Sequence, residues 1–382
     1  MSDRIQPTST GELAELLAAA TRDKASLALR GGGSKDRIGA KAADARVVDM
    51  RAFAGVSDYD PPELVLTTGA GTLLSDIESL VAAEGQMLAF DPFDHGRLLG
   101  VEPGRATIGG VVAAGVAGPR RLSGGSARDH LLGFEAVSGD GRTFRAGAKV
   151  VKNVTGFDLS KLVAGSWGRL VALTEVTLKV VPRPEASLTL CVRGLEPTAA
   201  VRLMTGALGS TAAIAAAAHV PAGDGPASTL LRIDGIDASI ASRRKALLSI
   251  VPAPALADAL DDSAAATAWN DVRDVSVLPT DRPLWRVLLP AAQAPAFVAA
   301  LDDSAWLMDW AGGLLWVATA ADAHALRVAA QEAGGHAMLV RADAALRAGV
   351  PALHPPSPAV AALEARVRQA FDPGNVFANG RF

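Results

Sequence analysis

The sequence predicts an α+β protein built in two parts, and three observations carry that expectation. Apolar runs of strand length end in glycine turns that open helices, over 27–39 and again over 63–85. A long alternating strand is closed by Pro182-Arg183-Pro184, and the composition beyond it shifts to alanine. Past that boundary the periodicities read β-α-β-β-α and then β-α-β-β-α-β, an α+β sandwich with an internal duplication.

Taken in order, Thr10 reads as the N-cap of a first helix with Leu13, Leu16 and Leu17 on one face. Leu27-Ala28-Leu29 and Val47 to Met50 read as short strands, and Glu63 to Thr68 as a third. Thr72 then caps a helix with Leu73, Ile77, Leu80 and Val81 on its apolar side, and Gly85 stops it. Thr107 to Gly115 reads as a helix of very small residues. Glycine costs a helix interior roughly 0.8–1 kcal/mol relative to alanine, so Gly109, Gly110 and Gly115 need a reason. Either something flat lies close to this backbone or another backbone packs tightly on it. Gly139 to Arg142 is a hairpin turn between strands over 134–138 and 143–145. Lys152 to Gly156 reads as a loop, Asp158 to Leu162 as a short helix, Gly165 to Gly168 as a tight turn, and Val171 to Val181 as a strand.

In the second part, strands are expected near 187–193, 212–218, 228–233, 285–289, 305–310, 314–319 and 336–341. Helices are expected near 198–208, 238–250, 293–301 and 321–333, with an alanine-rich helical stretch over about 254–270. Pro358 to Ala370 is a last helix, followed by the glycine- and asparagine-rich tail FDPGNVFANGRF. Trp285, Trp306, Trp310 and Trp316 serve either the core or a partner face.

The first glycine turn, LALRGGGSKDRIG, carries the most chemistry. Gly31, Gly32 and Gly33 reach positive φ without penalty and let backbone N–H groups converge on an anion. Ser34 adds a hydroxyl and Lys35 a charge, which suits a pyrophosphate at about 1.5–3 kcal/mol per charged hydrogen bond. The order is not that of a Walker A loop, and Asp36 stands where the G-x-G-x-x-G fingerprint needs glycine. A surface turn is the plainer alternative.

The 382 residues suffice for two or three domains, and 49% hydrophobic against 20% charged residues excludes disorder. A net charge of −3 gives no electrostatic case for nucleic acid or an anionic membrane. The single cysteine, Cys191, excludes an internal disulfide and a cysteine-rich iron–sulfur site, and it sits in a strand pattern. With no apolar leader and no run near the roughly 18 residues of a membrane span, a cytoplasmic protein is expected.

RGGGSKDRIG resembles the pyrophosphate loop of FAD-binding domains of the vanillyl-alcohol oxidase and p-cresol methylhydroxylase type. TTGAGTLLSDIESLVAAEG, the stretch from Val101 to Gly147, and KVVKNVTGFDLSKLVAGSWGRLVALTEVTLKVVPRP resemble successive parts of the same domain. The resemblance implies an α+β fold: a two-subdomain FAD-binding domain over 1–184 (about 1–52 and 53–184), an α+β, ferredoxin-like cap over 185–350, and a C-terminal helix and tail over 351–382 returning to the first domain. It implies non-covalent FAD, since Ser34 stands where tethering relatives place histidine. Carried over by residue, Arg30 to Lys35 hold the pyrophosphate, flanked by Gly69 and Gly71. Pro103, Gly104, Thr107, Gly109 and Gly110 line the flavin and ribityl side. Gly118 and Ser126 reach the flavin or pyrophosphate region, with Arg128 and Asp129 ordering that loop. Gly168, Leu173 and Glu175 lie near the adenine and flavin edge, and Asn379 and Arg381 close the site from the tail.

KNVTGFDLSKL together with SGGSARDHLLG and a short chain resembles the smaller flavin-binding subunits of glycolate-oxidising complexes. That resemblance implies oxidation of a 2-hydroxy acid, glycolate to glyoxylate, beside a larger flavoprotein subunit and an iron–sulfur subunit. A self-sufficient FAD-dependent 2-hydroxyacid dehydrogenase and an assembly subunit without turnover are the alternatives. The six histidines, His95, His130, His219, His324, His336 and His354, show no closely spaced pair like that of the larger dehydrogenases. Oxidation needs a base near the hydroxyl, for which His130 and Lys152 are candidates, and cations for the carboxylate, for which Arg120, Arg121 and Lys152 are candidates. Structural roles for each remain the alternative.

Overall fold

A computed structural model describes residues 4–42, 45–147, 157–223, 225–378 and 380–382. The chain divides into two units, Met1–Ala117 with Gly125–Arg183 and Pro355–Phe382, and Gly118–Gly124 with Pro184–His354.

In the first unit β1 (Arg4–Ile5), β2 (Leu27–Arg30) and β3 (Arg46–Asp49) form a parallel sheet in the order β1-β3-β2. The helix Thr10–Asp23 leads from β1 into β2. Its N-cap is Ser9, not Thr10: Ser9 Oγ accepts from Glu12 N at 3.2 Å, while Thr10 Oγ1 donates to Glu135 Oε1 at 3.0 Å. Leu13 and Leu17 are buried with Leu27 and Val48, and Val376 and Phe377 of the tail enter the same core.

The second sheet of this unit contains β4 (Val56–Asp60), β5 (Val65–Gly69), β7 (Leu131–Ser138), β8 (Thr143–Gly147) and β9 (Val171–Lys179), antiparallel in the order β4-β5-β9-β7-β8. β6 (Gln86–Met87) pairs with β10 (Val181–Pro182) in a separate ribbon, so the long strand expected to Val181 stops at Lys179. β4 was not expected, because VSDYD is an exposed edge strand with no apolar face to bury. Thr72 does not cap the following helix, Leu74–Ala83, which starts after Leu73. Its hydroxyl instead ties the preceding turn, accepting from Gly55 N at 2.9 Å and donating to Gly69 O at 2.7 Å. The loop expected at Lys152 to Gly156 lies outside the described residues.

The second unit is built on one antiparallel sheet. Its strands are β11 (Ala186–Arg193), β12 (Ala216–Val220), β13 (Ser228–Gly235), β14 (Ala257–Leu260), β15 (Leu284–Leu288), β16 (Ala305–Asp309), β17 (Leu314–Ala318) and β18 (His336–Arg341). Their order is β14-β11-β13-β12-β16-β17-β15-β18. Each half, β11 to β14 and β15 to β18, has the connectivity β-α-β-β-α-β, with its fourth strand beside its first and its third beside its second. The halves are joined through their second strands, where His219 pairs with Met308. This is a duplicated ferredoxin-like arrangement. The helices Pro197–Leu208, Asp237–Leu248, Ala294–Ala299 and Ala323–Glu332 supply Met204, Leu247, Phe297 and Leu326 to a core with Trp285, Leu231 and Leu339.

Two expectations fail here for local reasons. The stretch read as helical over about 254–270 contains β14 before its helix, Asp262–Asp274. A four-residue edge strand of sequence ADAL carries too little apolar pattern to be seen. The strand expected from 212 begins at Ala216, because Arg243 donates to the carbonyls of Ala212 and Ala213 and Ala213 turns to φ 47°. Cys191 is buried in β11. Among the described residues no helix is long and apolar enough to cross a membrane.

Candidate cofactor site

A cleft of about 850 Å³, its open mouth included, lies in the first unit. Its floor is the end of β2 and the glycine loop. Gly31 and Gly32 are pressed against the segment that enters the helix Ile108–Ala114: a Cβ at Gly31 would fall 2.2 Å from Thr107 Oγ1, and one at Gly32 would fall 1.6 Å from Arg105 O. Gly33 turns to φ 84°. Arg30 and Asp36 close the loop on itself, with Arg30 Nε donating to Asp36 Oδ2 at 2.7 Å. Ser34 is buried beneath it.

The second wall is the small-residue helix. Asp94 orders its approach by accepting from Gly96 N, Arg105 N and Ala106 N at 2.6–2.8 Å. The first N–H groups of the helix are already used: Ile108 N donates to Thr72 O, Gly109 N to Ala70 O and Gly110 N to Thr107 Oγ1. These three N–H groups are therefore not left over for an anion at this helix N-terminus. Both explanations of the helical glycines apply, each at its own residue. A Cβ on Gly109 would lie 2.7 Å from Ala70, and one on Gly115 3.2 Å from Gly165, so these serve backbone packing. Gly110 lines the cleft, and its Cβ would meet only Thr107 Oγ1 at 3.3 Å.

The third wall is the turn Gly165 to Gly168 and the tail. Gly165 N and Trp167 N donate to Val112 O and Ala113 O at the end of the small-residue helix. Trp167 adopts φ 59° and packs on Phe382 with ring centroids 5.0 Å apart. Ser166 is buried, lines the cleft, and its hydroxyl has no hydrogen-bond partner among the described residues. The tail is fixed by Leu27 N donating to Val376 O at 2.8 Å and by Asp372 accepting from Val376 N and Phe377 N. Arg381 Nε donates to Ile38 O at 2.9 Å, and Arg381 also donates to Lys35 O. Burial pushes the Lys35 ammonium down to about 8, with Asp94 raising it and Arg381 lowering it further. Two cations at the rim of a glycine loop, and an orphan hydroxyl inside, fit an anionic ligand with polar groups along its length.

The cleft gathers Arg30, Gly31, Gly32, Gly33, Ser34 and Lys35 with Thr107, Gly109, Gly110, Gly168, Leu173 and Arg381. Gly69 and Gly71 are not on its wall. Their N–H groups donate to Gly55 O and Phe53 O, and a Cβ on either would strike that backbone. Pro103 and Gly104 also lie off the wall; Gly104 turns to φ 83° with open space beside it. Ser126 and Asp129 form a capping box over the short helix Ala127–His130, with Arg128 exposed on it. Glu175 accepts from Ser57 Oγ at 2.8 Å. Gly118 belongs to the second unit, where its carbonyl accepts from Trp310 Nε1 at 3.0 Å. His130 is buried 5.6 Å from the Phe90 ring and does not line the cleft. Lys152 and Asn379 lie outside the described residues. Sequence reasoning missed Met50, Ala70, Ser166, Trp167 and Phe382. Only the tight turn around Ser166 and Trp167 left a trace in the sequence, as paired glycines.

A strand feeding a glycine loop, a cationic rim and a wall of small residues define a protein that binds a nucleotide cofactor. The FAD binding domain family matches residues 4–147. Over 379 residues the chain is 32% identical to glycolate oxidase subunit GlcE of Escherichia coli, covering 97% of this chain and 96% of that one. It is 30% identical over 179 residues to a D-lactate dehydrogenase of Archaeoglobus fulgidus, covering 47% of this chain and 38% of the dehydrogenase. A solved structure of alkyldihydroxyacetonephosphate synthase matches with a TM-score of 0.68 over 99% of this chain and 77% of its own, at 16% identity, a likeness of fold. The chain belongs to the FAD-binding oxidoreductase family that contains that glycolate oxidase subunit.

Proposed function

We propose that this chain is the FAD-binding subunit of a glycolate-oxidising complex, taking part in conversion of glycolate to glyoxylate. The observation that carries this reading is the extent of the likeness to the Escherichia coli subunit, which includes the second unit as well as the first. The likeness to a D-lactate dehydrogenase stops at less than half of the chain.

When bound, FAD supplies the redox chemistry, and the protein supplies binding and orientation. Backbone N–H groups of Gly31 to Gly33 and the charges of Lys35 and Arg381 hold the pyrophosphate. Ser166 offers its hydroxyl to the cofactor, and Gly110 leaves room for it beside the helix. Of the other residues carried over from the family, those of the first unit (Gly69, Gly71, Pro103, Gly104, Ser126, Arg128, Asp129, Glu175 and Asn379) are assigned to the surroundings of the site by the resemblance. His130 and Lys152 are the candidate bases, with the larger flavoprotein subunit supplying the substrate chemistry if neither serves. Electrons leave through an iron–sulfur subunit, and the complex is cytoplasmic, reaching a membrane only through its partners.

Affinity purification of the chain from its own cells tests the reading, with flavin and iron assayed in the eluate. Co-elution of a second flavoprotein and an iron–sulfur protein is expected. A chain that elutes alone and reduces its own flavin with anaerobic glycolate would instead be a self-sufficient dehydrogenase.

A further inference from the structure

The second unit carries two arginines whose guanidinium groups form no ion pair with a carboxylate of the described residues. Arg121, on the short helix Arg121–Gly124, places its guanidinium 4.8 Å from the centroid of the Trp310 indole. Arg286, on β15, places its own 5.1 Å from the same centroid. Neither guanidinium makes a hydrogen bond or an ion pair to another described residue, although Arg121 N donates to Gly118 O at 3.1 Å. Their neighbours differ. Arg120 and Arg232 both pair with Asp234, at 2.9 Å each, and Ser187 Oγ donates to that carboxylate as well. Asp309, the acid nearest in sequence to Trp310, uses Oδ1 to accept from Trp310 N at 2.7 Å.

The indole that both cations approach is held in a costly conformation. Trp310, Ala311 and Gly312 follow one another at φ 51°, 56° and 95°, two of them residues with a Cβ. Trp310 Nε1 donates to Gly118 O at 3.0 Å, which ties the segment bearing Arg121 to the indole. Backbone strain of this kind concentrates where a side chain must be aimed. Arg286 is pushed down to about 10, first by burial and then by the charge of Arg121, with Asp309 opposing. Two like charges held at one ring repel until an anion joins them. A guanidinium fork matches a planar carboxylate.

We propose that Arg121 and Arg286, set about Trp310, form a binding site for the carboxylate of a small 2-hydroxy acid. This rests on the reading of the chain as part of a 2-hydroxy-acid-oxidising flavoprotein. The site lies wholly within the second unit and is separate in the sequence from the cofactor cleft.

The test is calorimetric titration of the full chain, loaded with FAD, using glycolate, acetate, ethylene glycol and inorganic phosphate. Glycolate and acetate are expected to bind, and ethylene glycol, which lacks the carboxylate, is not. Arg121→Gln and Arg286→Gln are each expected to weaken carboxylate binding at least ten-fold at unchanged flavin content, and Arg286→Lys to restore part of it. If Arg286→Gln does not fold, Arg121→Gln and Arg286→Lys decide. Unchanged carboxylate binding in the folded variants, or phosphate binding as well as glycolate, would overturn the proposal. The flavin content of the same samples separates the two readings. A chain that binds glycolate but keeps no flavin refutes the cofactor assignment alone, and one that keeps flavin but binds no carboxylate refutes this site alone.

Discussion

Lys35 sits at the cleft rim with a pKa near 8 where an ordinary lysine has 10.5. Between those values the unfolded chain binds more protons than the folded one, so this group makes the folded chain more stable as pH rises from about 8 to about 10.5. A bound pyrophosphate acts in the other direction, because it favours the charged ammonium. FAD affinity is therefore expected to fall several-fold between pH 7 and pH 9, and to be weaker at pH 7 and nearly flat with pH in Lys35→Met. Flavin-fluorescence titration reads both; parallel pH profiles for the two proteins would remove Lys35 from the site. Ser166 offers a second residue-scale test. Its hydroxyl is buried without a partner among the described residues, and a hydrogen bond to cofactor there contributes about 1 kcal/mol. Ser166→Ala is expected to raise the Kd for FAD roughly five-fold with unchanged melting of the apo chain.

At the scale of elements, the glycine loop and the small-residue helix are one unit, and two glycines in them separate packing from binding. Gly32→Ala drives a Cβ into Arg105 O, backbone against backbone, and is expected to cost about 1–3 kcal/mol of stability along with the cofactor. Gly110→Ala meets only a hydroxyl at 3.3 Å and improves helix propensity by roughly 0.8–1 kcal/mol. It is expected to keep or gain stability in urea while losing flavin. If both variants lose stability equally, Gly110 is a packing residue. The loop was legible as a turn because three successive glycines follow a short apolar strand, whereas its place on a cleft wall is set by the fold. The duplication of the second unit was legible from its alternation of strand and helix periods, although β14 was not. The surroundings of the turn after β5 were not legible: Gly69 and Gly71 spend their N–H groups on Gly55 and Phe53. No local pattern reveals a partner drawn from a strand as featureless as VSDYD and its flanks. Trp167 and Phe382 were hidden for a related reason, since a turn and a chain end more than two hundred residues later meet only in the fold.

For the molecule as a whole, the tail is part of the first unit's core and also one wall of its cleft. Truncation after Phe371 removes Val376 and Phe377 from the core and the acceptor of Leu27 N, and with them Arg381 and Phe382. It is expected to lower the melting temperature and abolish FAD retention, while Arg381→Gln alone weakens retention without the thermal penalty of the truncation. Equal retention by truncated and full chains would place the cofactor elsewhere. The central claim is that this chain holds FAD non-covalently in the glycine-loop cleft. The most direct measurement is a visible absorption spectrum of the purified chain after saturation with FAD and desalting, repeated on the supernatant after acid denaturation. A flavin band that stays with the native protein in stoichiometric amount and passes wholly into the supernatant is expected. A chain that retains no flavin, or a flavin that stays with the precipitate, would contradict it.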